Sequence, residues 1–273
     1  MTVRKPAYRV AIGGLGSIGL KVARRLDEGI PGLALVAVSA RDRAAAAARM
    51  TGFKRPVPVL PLGELAGVAD VVVECAPAAA FDAVAEPAIE KGRIFMPMSC
   101  GVLLRRPDYE KRAAETGARI IVPTGALVGF DAVRAAAEGI IHSVTMKTEK
   151  PPKSVKGAPY LVEHGIDVGH LTKPLRVFAG SAREAAVGFP ANVNVAAALS
   201  MAGIGADRTT IEIWADPAQE RNKHTIKVDA DSTRFTMVIE GIPSPENPAT
   251  GLLTPLSVIA TLRGLVSTLH VGT

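Results

Sequence analysis

Apolar residues gather in short, almost unbroken runs in the first half of the chain and thin out to alternate positions in the second half. In the first half, Tyr8 to Ile12, Leu33 to Val38, Val71 to Glu74, Ile94 to Met98 and Arg119 to Val122 read as strands. Strands that are apolar on both faces belong in a parallel sheet covered on both sides. Between them, Leu20 with Val22, Ala23 and Leu26, then Ala44 to Met50, Ala79 to Glu90 and Tyr109 to Glu115 keep helical spacing. Strand and helix in alternation predict an α/β fold with a doubly wound parallel sheet.

The second half has a different texture. Helix-compatible runs occur at Phe130 to Glu138, Arg183 to Val187 and Val193 to Met201, and strands are expected at Ile140 to Met146, Leu175 to Phe178, Thr209 to Trp214, His224 to Val228 and Arg234 to Glu240. Polar and apolar residues alternate in Thr225-Ile226-Lys227-Val228 and Thr236-Met237-Val238-Ile239, the pattern of a half-exposed antiparallel sheet. We therefore expect a dinucleotide-binding domain over 1–125 and an α+β substrate or oligomerisation domain over 126–249. A last helix, Thr254 to Leu269 within 250–273, is expected to pack back on the first domain.

The join between the first strand and the first helix carries the clearest chemistry. It reads Gly14-Leu15-Gly16-Ser17-Ile18-Gly19. The first glycine permits the tight turn, the second lets backbone approach a pyrophosphate, and the third lets helix and strand pack closely, while Ser17 and Ile18 bring helix-start N–H groups to the phosphate charge. This is the Rossmann-type arrangement, and it predicts NADP or NAD as cofactor. The second strand closes with Ser39-Ala40-Arg41 where a ribose-binding carboxylate usually stands, so Ser39, Arg41 and Arg43 are candidate partners of a 2′-phosphate. Ala76-Pro77, Cys100-Gly101 and Ala126 follow strands, at the carboxyl side where such a sheet binds its ligand, and are candidates for the nicotinamide half.

Composition narrows the field. The 273 residues are 48% hydrophobic, enough for two compact domains. No apolar stretch reaches the roughly 18 residues of a membrane span, and the start of the chain lacks a signal peptide's apolar segment, so a cytoplasmic protein without membrane contact is expected. The net charge of +6 is dispersed and aromatics make up only 4%, which argues against a nucleic-acid partner and leaves anionic small molecules to account for it. Lys147-Thr148-Glu149-Lys150-Pro151-Pro152-Lys153 is the densest basic stretch and reads as a solvated loop after a strand, with a carboxylate-binding role left open by its place after the first strand of the second half. Two cysteines and five histidines show neither disulfide nor metal-ligand spacing, so no metal is expected.

The chain resembles the L-aspartate dehydrogenase family along nearly its whole length. The resemblance is carried by the Gly14 to Gly19 turn, Pro123-Thr124-Gly125-Ala126 with Gly129 and Asp131, Thr148-Glu149-Lys150-Pro151-Pro152, the run Phe178 to Ala185, the run Phe189 to Ala196, Asp216-Pro217, Arg221-Asn222-Lys223-His224, and Pro243 to Pro248. It implies NAD(P)-dependent oxidation of L-aspartate to iminoaspartate, which hydrolyses to oxaloacetate and ammonia or feeds NAD biosynthesis. It also implies a dicarboxylate amino-acid substrate, a homodimer, His224 as the catalytic residue, and cofactor contacts at Ala126 and at an asparagine of the pair Asn192 and Asn194. The chain departs from the family pattern at Thr124, Val128 and Glu149, the last replacing a usual arginine.

The chemistry fits that implication. Loss of hydride from an amino acid's Cα needs a neutral amine and then a proton acceptor as water adds to the imine, a task suited to a histidine that titrates near neutrality. One of Asn192 and Asn194 is expected to cap the helix that follows, leaving the other for cofactor or substrate. Three other readings compete. Glu149-Lys150-Pro151 matches the motif of sugar and inositol dehydrogenases, and Cys100 would serve a semialdehyde dehydrogenase as nucleophile. A non-catalytic NAD(P)-binding sensor is the third class.

Overall fold

The computed structural model describes residues 7–190 and 193–272, apart from the side chains of 248 and 249. Asn192 therefore lies outside the described residues. Two compact units emerge, one formed up to Gly125 together with Thr254–His270, the other by Ala126–Leu253.

In the first unit, β1 (Tyr8–Gly13), α1 (Ser17–Glu28), β2 (Leu33–Ser39), α2 (Arg43–Arg49), α3 (Leu65–Val68), β3 (Val71–Glu74), α4 (Phe81–Glu90), β4 (Ile94–Pro97), α5 (Cys100–Leu103), α6 (Asp108–Thr116) and β5 (Arg119–Ile120) follow in order. The strands form one sheet in the order β2-β1-β3-β4-β5, every neighbouring pair parallel. Because side chains alternate along a strand, each strand feeds two cores. Val10, Ile12, Val71, Val73, Ile94 and Met96 enter one, and Ala11, Val72 and Phe95 enter the other. That division is why the strands read as continuous apolar runs, and it establishes the doubly wound α/β class. The fifth strand is shorter than its apolar run: after Ile120 the ladder continues only through Ile121 N to Phe95 O, and Pro123 has no N–H to extend it.

The second unit contains α7 (Phe130–Ala137), β6 (Ile141–Lys150), α8 (Pro159–Glu163), β7 (Leu175–Ser181), α9 (Ala182–Gly188), α10 (Asn194–Ala202), β8 (Thr209–Ala215), β9 (Asn222–Ala230), β10 (Arg234–Gly241), β11 (Pro243–Ser244) and β12 (Asn247–Gly251). Its five-stranded sheet runs β10-β9-β6-β8-β7. The antiparallel expectation holds for β9 and β10, whose alternation carried it, but β6 and β8 pair in parallel, so the sheet as a whole is mixed. The chain between them crosses over through α8, β7, α9 and α10, a route long enough for a parallel return.

A second correction concerns the basic stretch. It is no loop as far as Lys150: β6 runs through that residue, held by β8 on one side and reaching Glu149 opposite Lys223 of β9 on the other. Only from Pro151, which cannot donate to a ladder, does the strand give way. The asparagine cap is also absent for Asn194. The cap of α10 is Val193, with no side-chain hydrogen bond, and Asn194 is the first helical residue.

The last helix, α11 (Leu253–Gly264), ends before the expected Leu269. At its end Leu265 N and Val266 N bond back three residues, to Leu262 O and Arg263 O, tightening the turn at a residue type of low helix propensity, Gly264. Val258 and Leu262 of this helix are fully buried in the same core as Val10 and Ile12.

Candidate functional site

The glycine turn in the first unit is built by close backbone contact. Gly14 adopts φ +118°, and a Cβ there would fall 2.5 Å from the Cys75 carbonyl oxygen; a Cβ on Gly19 would collide with the Gly14 carbonyl. Gly16 differs. A Cβ there meets nothing within 4 Å, and Gly16 caps the 12-residue α1 without any side-chain hydrogen bond. The helix start with Ser17 and Ile18 thus presents its unsatisfied N–H groups beside open space, which suits a dinucleotide's pyrophosphate. Arg49 of α2 donates to Leu15 O at 2.7 Å, placing a guanidinium on this turn that the sequence reading passed over. Ser39 ends β2 buried, and Arg41 follows it exposed. Asp42, the first acid after that strand, is engaged as the cap of α2, accepting from Ala45 N at 2.9 Å.

The loops after β3 and β4 lie beside this turn. Cys75 N donates to Gly13 O, and Met98 N to Glu74 O. Ala76 and Pro77 lead into a short 3-10 turn at Ala78–Ala80, while Cys100 and Gly101 open α5 and are buried. Burial and the nearby Glu74 push the Cys100 thiol up to about 12, so it is a poor thiolate and a poor nucleophile. Glu74 is completely buried, and burial raises its pKa. A charged residue ending an otherwise apolar strand was the signal for it in the sequence. Ala126 opens the second unit, one residue beyond Gly125, whose N–H donates to Ser257 Oγ at 3.0 Å.

In the second unit the buried side of the sheet changes character along its length. Val144 and Met146 of β6, Ile211 and Ile213 of β8, and Ile226 and Val228 of β9 are apolar. Continuing at period two, β6 brings Thr148 and Lys150 to the same side, and β9 brings His224 opposite Thr148. All three are buried. Thr148 Oγ1 lies 3.0 Å from His224 Nδ1, a hydrogen bond whose direction depends on the ring tautomer. Asp216, also buried, follows β8, its N–H donating to Lys150 O at 2.8 Å and its carboxylate accepting from Ala218 N and Gln219 Nε2.

Of the five histidines, His224 alone is buried. Its expected titration near neutrality is wrong for this environment: burial first, and the neighbouring Lys150 charge second, lower its pKa from 6.5 to about 3. Lys150 is lowered to about 8 by burial. Glu149, the residue that departs from the family's arginine, points to the opposite side of the sheet. There it accepts from Lys147 Nζ at 2.8 Å, and that ammonium lies 4.7 Å from the centre of the Trp214 ring. The anion is therefore paired away from His224. Among the described residues no group of three or more His, Cys, Asp or Glu is placed to hold a metal ion, and no helix is long and apolar enough to cross a membrane.

Comparison with known proteins adds an independent line. Residues 14–123 match the family described as homoserine dehydrogenase, NAD binding domain, and residues 131–265 the family described as aspartate dehydrogenase, C-terminal. The L-aspartate dehydrogenase of Bradyrhizobium diazoefficiens is 56% identical over 97% of this chain and 94% of its own, and that of Methanocella arvoryzae 40% identical over 97% and 100%. Among solved structures, aspartate dehydrogenase from Thermotoga maritima aligns with a TM-score of 0.73 at 25% identity, covering 97% of this chain and 99% of that one. A myo-inositol dehydrogenase from Corynebacterium glutamicum aligns at 0.52 and 13% identity over 94% and 87%, a likeness of fold alone.

Proposed function

The chain belongs to the L-aspartate dehydrogenase family, and from that premise we propose that it oxidises L-aspartate to iminoaspartate, with NADP or NAD accepting the hydride, and catalyses the reverse reductive amination of oxaloacetate. The observation that carries the reading is the buried polar end of the second unit's sheet, where His224, Thr148 and Lys150 converge on an otherwise apolar face. In this reading the first unit is the dinucleotide-binding domain and the second the substrate domain.

The bound dinucleotide supplies one thing, a two-electron acceptor for the Cα hydride. The glycine turn, with Ser17 and Ile18, holds the pyrophosphate; Ser39 and Arg41 are assigned to the ribose end, with Arg49 close to the turn; Ala76, Pro77, Cys100, Gly101, Ala126 and Asn194 are assigned to the nicotinamide end. Asn192, outside the described residues, stays the alternative to Asn194. His224 handles the protons. With its pKa lowered to about 3 the imidazole is neutral at working pH but only weakly basic, and it takes a proton once the carboxylates of a bound dicarboxylate substrate offset the Lys150 charge beside it. When Nδ1–H donates to Thr148 Oγ1, the Nε2 lone pair is left to take a proton from the water that adds to the imine. Lys150 supplies positive charge in a desolvated place, where a substrate carboxylate offsets the cost of burying an ammonium.

The sugar and inositol reading is weaker, since Glu149-Lys150-Pro151 lies in the second unit and Glu149 faces away from Lys150. The semialdehyde reading meets the raised Cys100 thiol. The proposal extends to a cytoplasmic homodimer, supported by the family resemblance. The deciding assay is a panel of amino acids, 2-hydroxy acids and polyols read at 340 nm with either cofactor. Activity with L-aspartate above all others is the expected result, and turnover of polyols without aspartate would refute it.

A further inference from the structure

Glu74 makes an unusual set of contacts for a carboxylate with no exposed surface. Its Oε1 accepts from Ala76 N at 2.9 Å and meets Ser99 Oγ at 3.1 Å, and its Oε2 accepts from Met98 N at 3.1 Å and Ser99 N at 2.9 Å. One side chain thereby ties the loop after β3 to the loop after β4, and the first of these is the loop on which Gly14 rests. Three of the four partners are backbone N–H groups, which can only donate, so the site is shaped for an anion. All four partners are neutral: burial raises the Glu74 pKa and these four hydrogen bonds act against that rise, so the charge of the ionised carboxylate is solvated by dipoles and not cancelled. Burial raises the pKa of both neighbouring thiols, Cys75 and Cys100, and the Glu74 charge adds to that rise.

We propose that Glu74 is a positioning residue for the nicotinamide end of the cofactor site, and that its buried charge makes the site favour the oxidised, cationic ring over the reduced, neutral one. The physical basis is short: in a weakly screening interior a fixed anion attracts a cation and is nearly indifferent to its uncharged counterpart. A site that favours the oxidised ring binds the cofactor ready to accept hydride and releases the reduced form more easily. The inference rests on the dinucleotide-binding role proposed for the first unit.

The test is the ratio of dissociation constants for NADP+ and NADPH, and for NAD+ and NADH, measured by calorimetry and nucleotide fluorescence on wild type and Glu74→Gln. Glutamine keeps the shape, removes the charge and turns one donor toward a backbone N–H. Loss of affinity for the oxidised form at least about five-fold greater than for the reduced form is expected. Equal losses would reduce Glu74 to a structural tie and overturn the proposal, whereas a wild type that binds neither cofactor would instead refute the dinucleotide-binding role. If Glu74→Gln does not fold, Ser99→Ala carries the test. It keeps the carboxylate and all three N–H donors but removes the hydroxyl, so the pH below which the oxidised form loses its advantage must rise relative to wild type, with Cys75 and Cys100 the titratable neighbours and both held protonated. No rise would overturn the proposal.

Discussion

Thr148 and His224 stand directly opposite each other on β6 and β9, and the Thr148 hydroxyl meets Nδ1 of the imidazole at 3.0 Å. This pairing fixes the ring against rotation and leaves Nε2 as the nitrogen available for chemistry. His224→Ala is therefore expected to lower kcat by roughly 10² to 10⁴, the usual worth of a placed acid-base group, with NADPH affinity within about two-fold of wild type. The exposed His142, His164 and His170 serve as controls in the same assay. An equal loss in His142→Ala would move the role elsewhere.

Acid should act on the same residue. Unfolded, the imidazole gains its proton near pH 6.5; folded, near 3. Between those values the unfolded chain holds the extra proton, so stability contributed by neutral His224 is full above pH 6.5 and falls as pH drops toward 3. Urea titrations of wild type and His224→Gln across that window should converge as pH falls. Parallel curves would count against a buried neutral imidazole.

Replacing Thr148 by valine keeps volume but removes the Nδ1 partner. A net loss of about 0.5 to 1.5 kcal/mol is expected for one such hydrogen bond, or roughly 2- to 13-fold in kcat/KM. Serine should rescue most of it. A role in packing alone would instead make valine harmless and serine costly.

Lys150→Met should raise KM for aspartate while stabilising the fold near pH 7, because burying an ammonium is costly. A gain of about 1 to 3 kcal/mol is expected at that pH. The wild-type amine titrates near 8 folded and 10.5 unfolded, so the unfolded chain holds more protons between those values and wild-type stability rises with pH. The variant's advantage should accordingly shrink from pH 8 to 10.5. Removing the charge should also raise the His224 pKa, which proton NMR of the ring can follow.

For the cofactor, Arg41→Ala should weaken NADP by about 1 to 3 kcal/mol and leave NAD nearly unchanged. Arg49→Ala, which frees Leu15 O on the glycine turn, should weaken both alike. Equal losses for both cofactors in Arg41→Ala would show that the arginine does not read the 2′-phosphate.

What the sequence disclosed follows from how local each requirement is. The strands of the first unit were visible because both faces of a parallel sheet demand apolar residues, and the glycine turn because its backbone admits no side chain at Gly14 or Gly19. The polar end of the second sheet was less visible. Lys150 looked like part of a solvated run until β8 and β9 were seen to pair with β6, since strand pairing and not composition decides which residues of a strand are buried. The parallel pairing of β6 with β8 depends on a crossover more than 50 residues long, which alternation along single strands cannot reveal. The shifted titration of His224 has the same origin, in neighbours distant along the chain.

The burial of Val258 and Leu262 beside Val10 and Ile12 has a consequence for how the polypeptide is made. A ribosome delivers β1 early and α11 only after the whole of the second unit has been synthesised. Until then one flank of the first sheet keeps an apolar patch that its own neighbours in sequence cannot cover. That flank stays uncovered through the translation of more than a hundred further residues, so the first unit's core is completed only when α11 emerges.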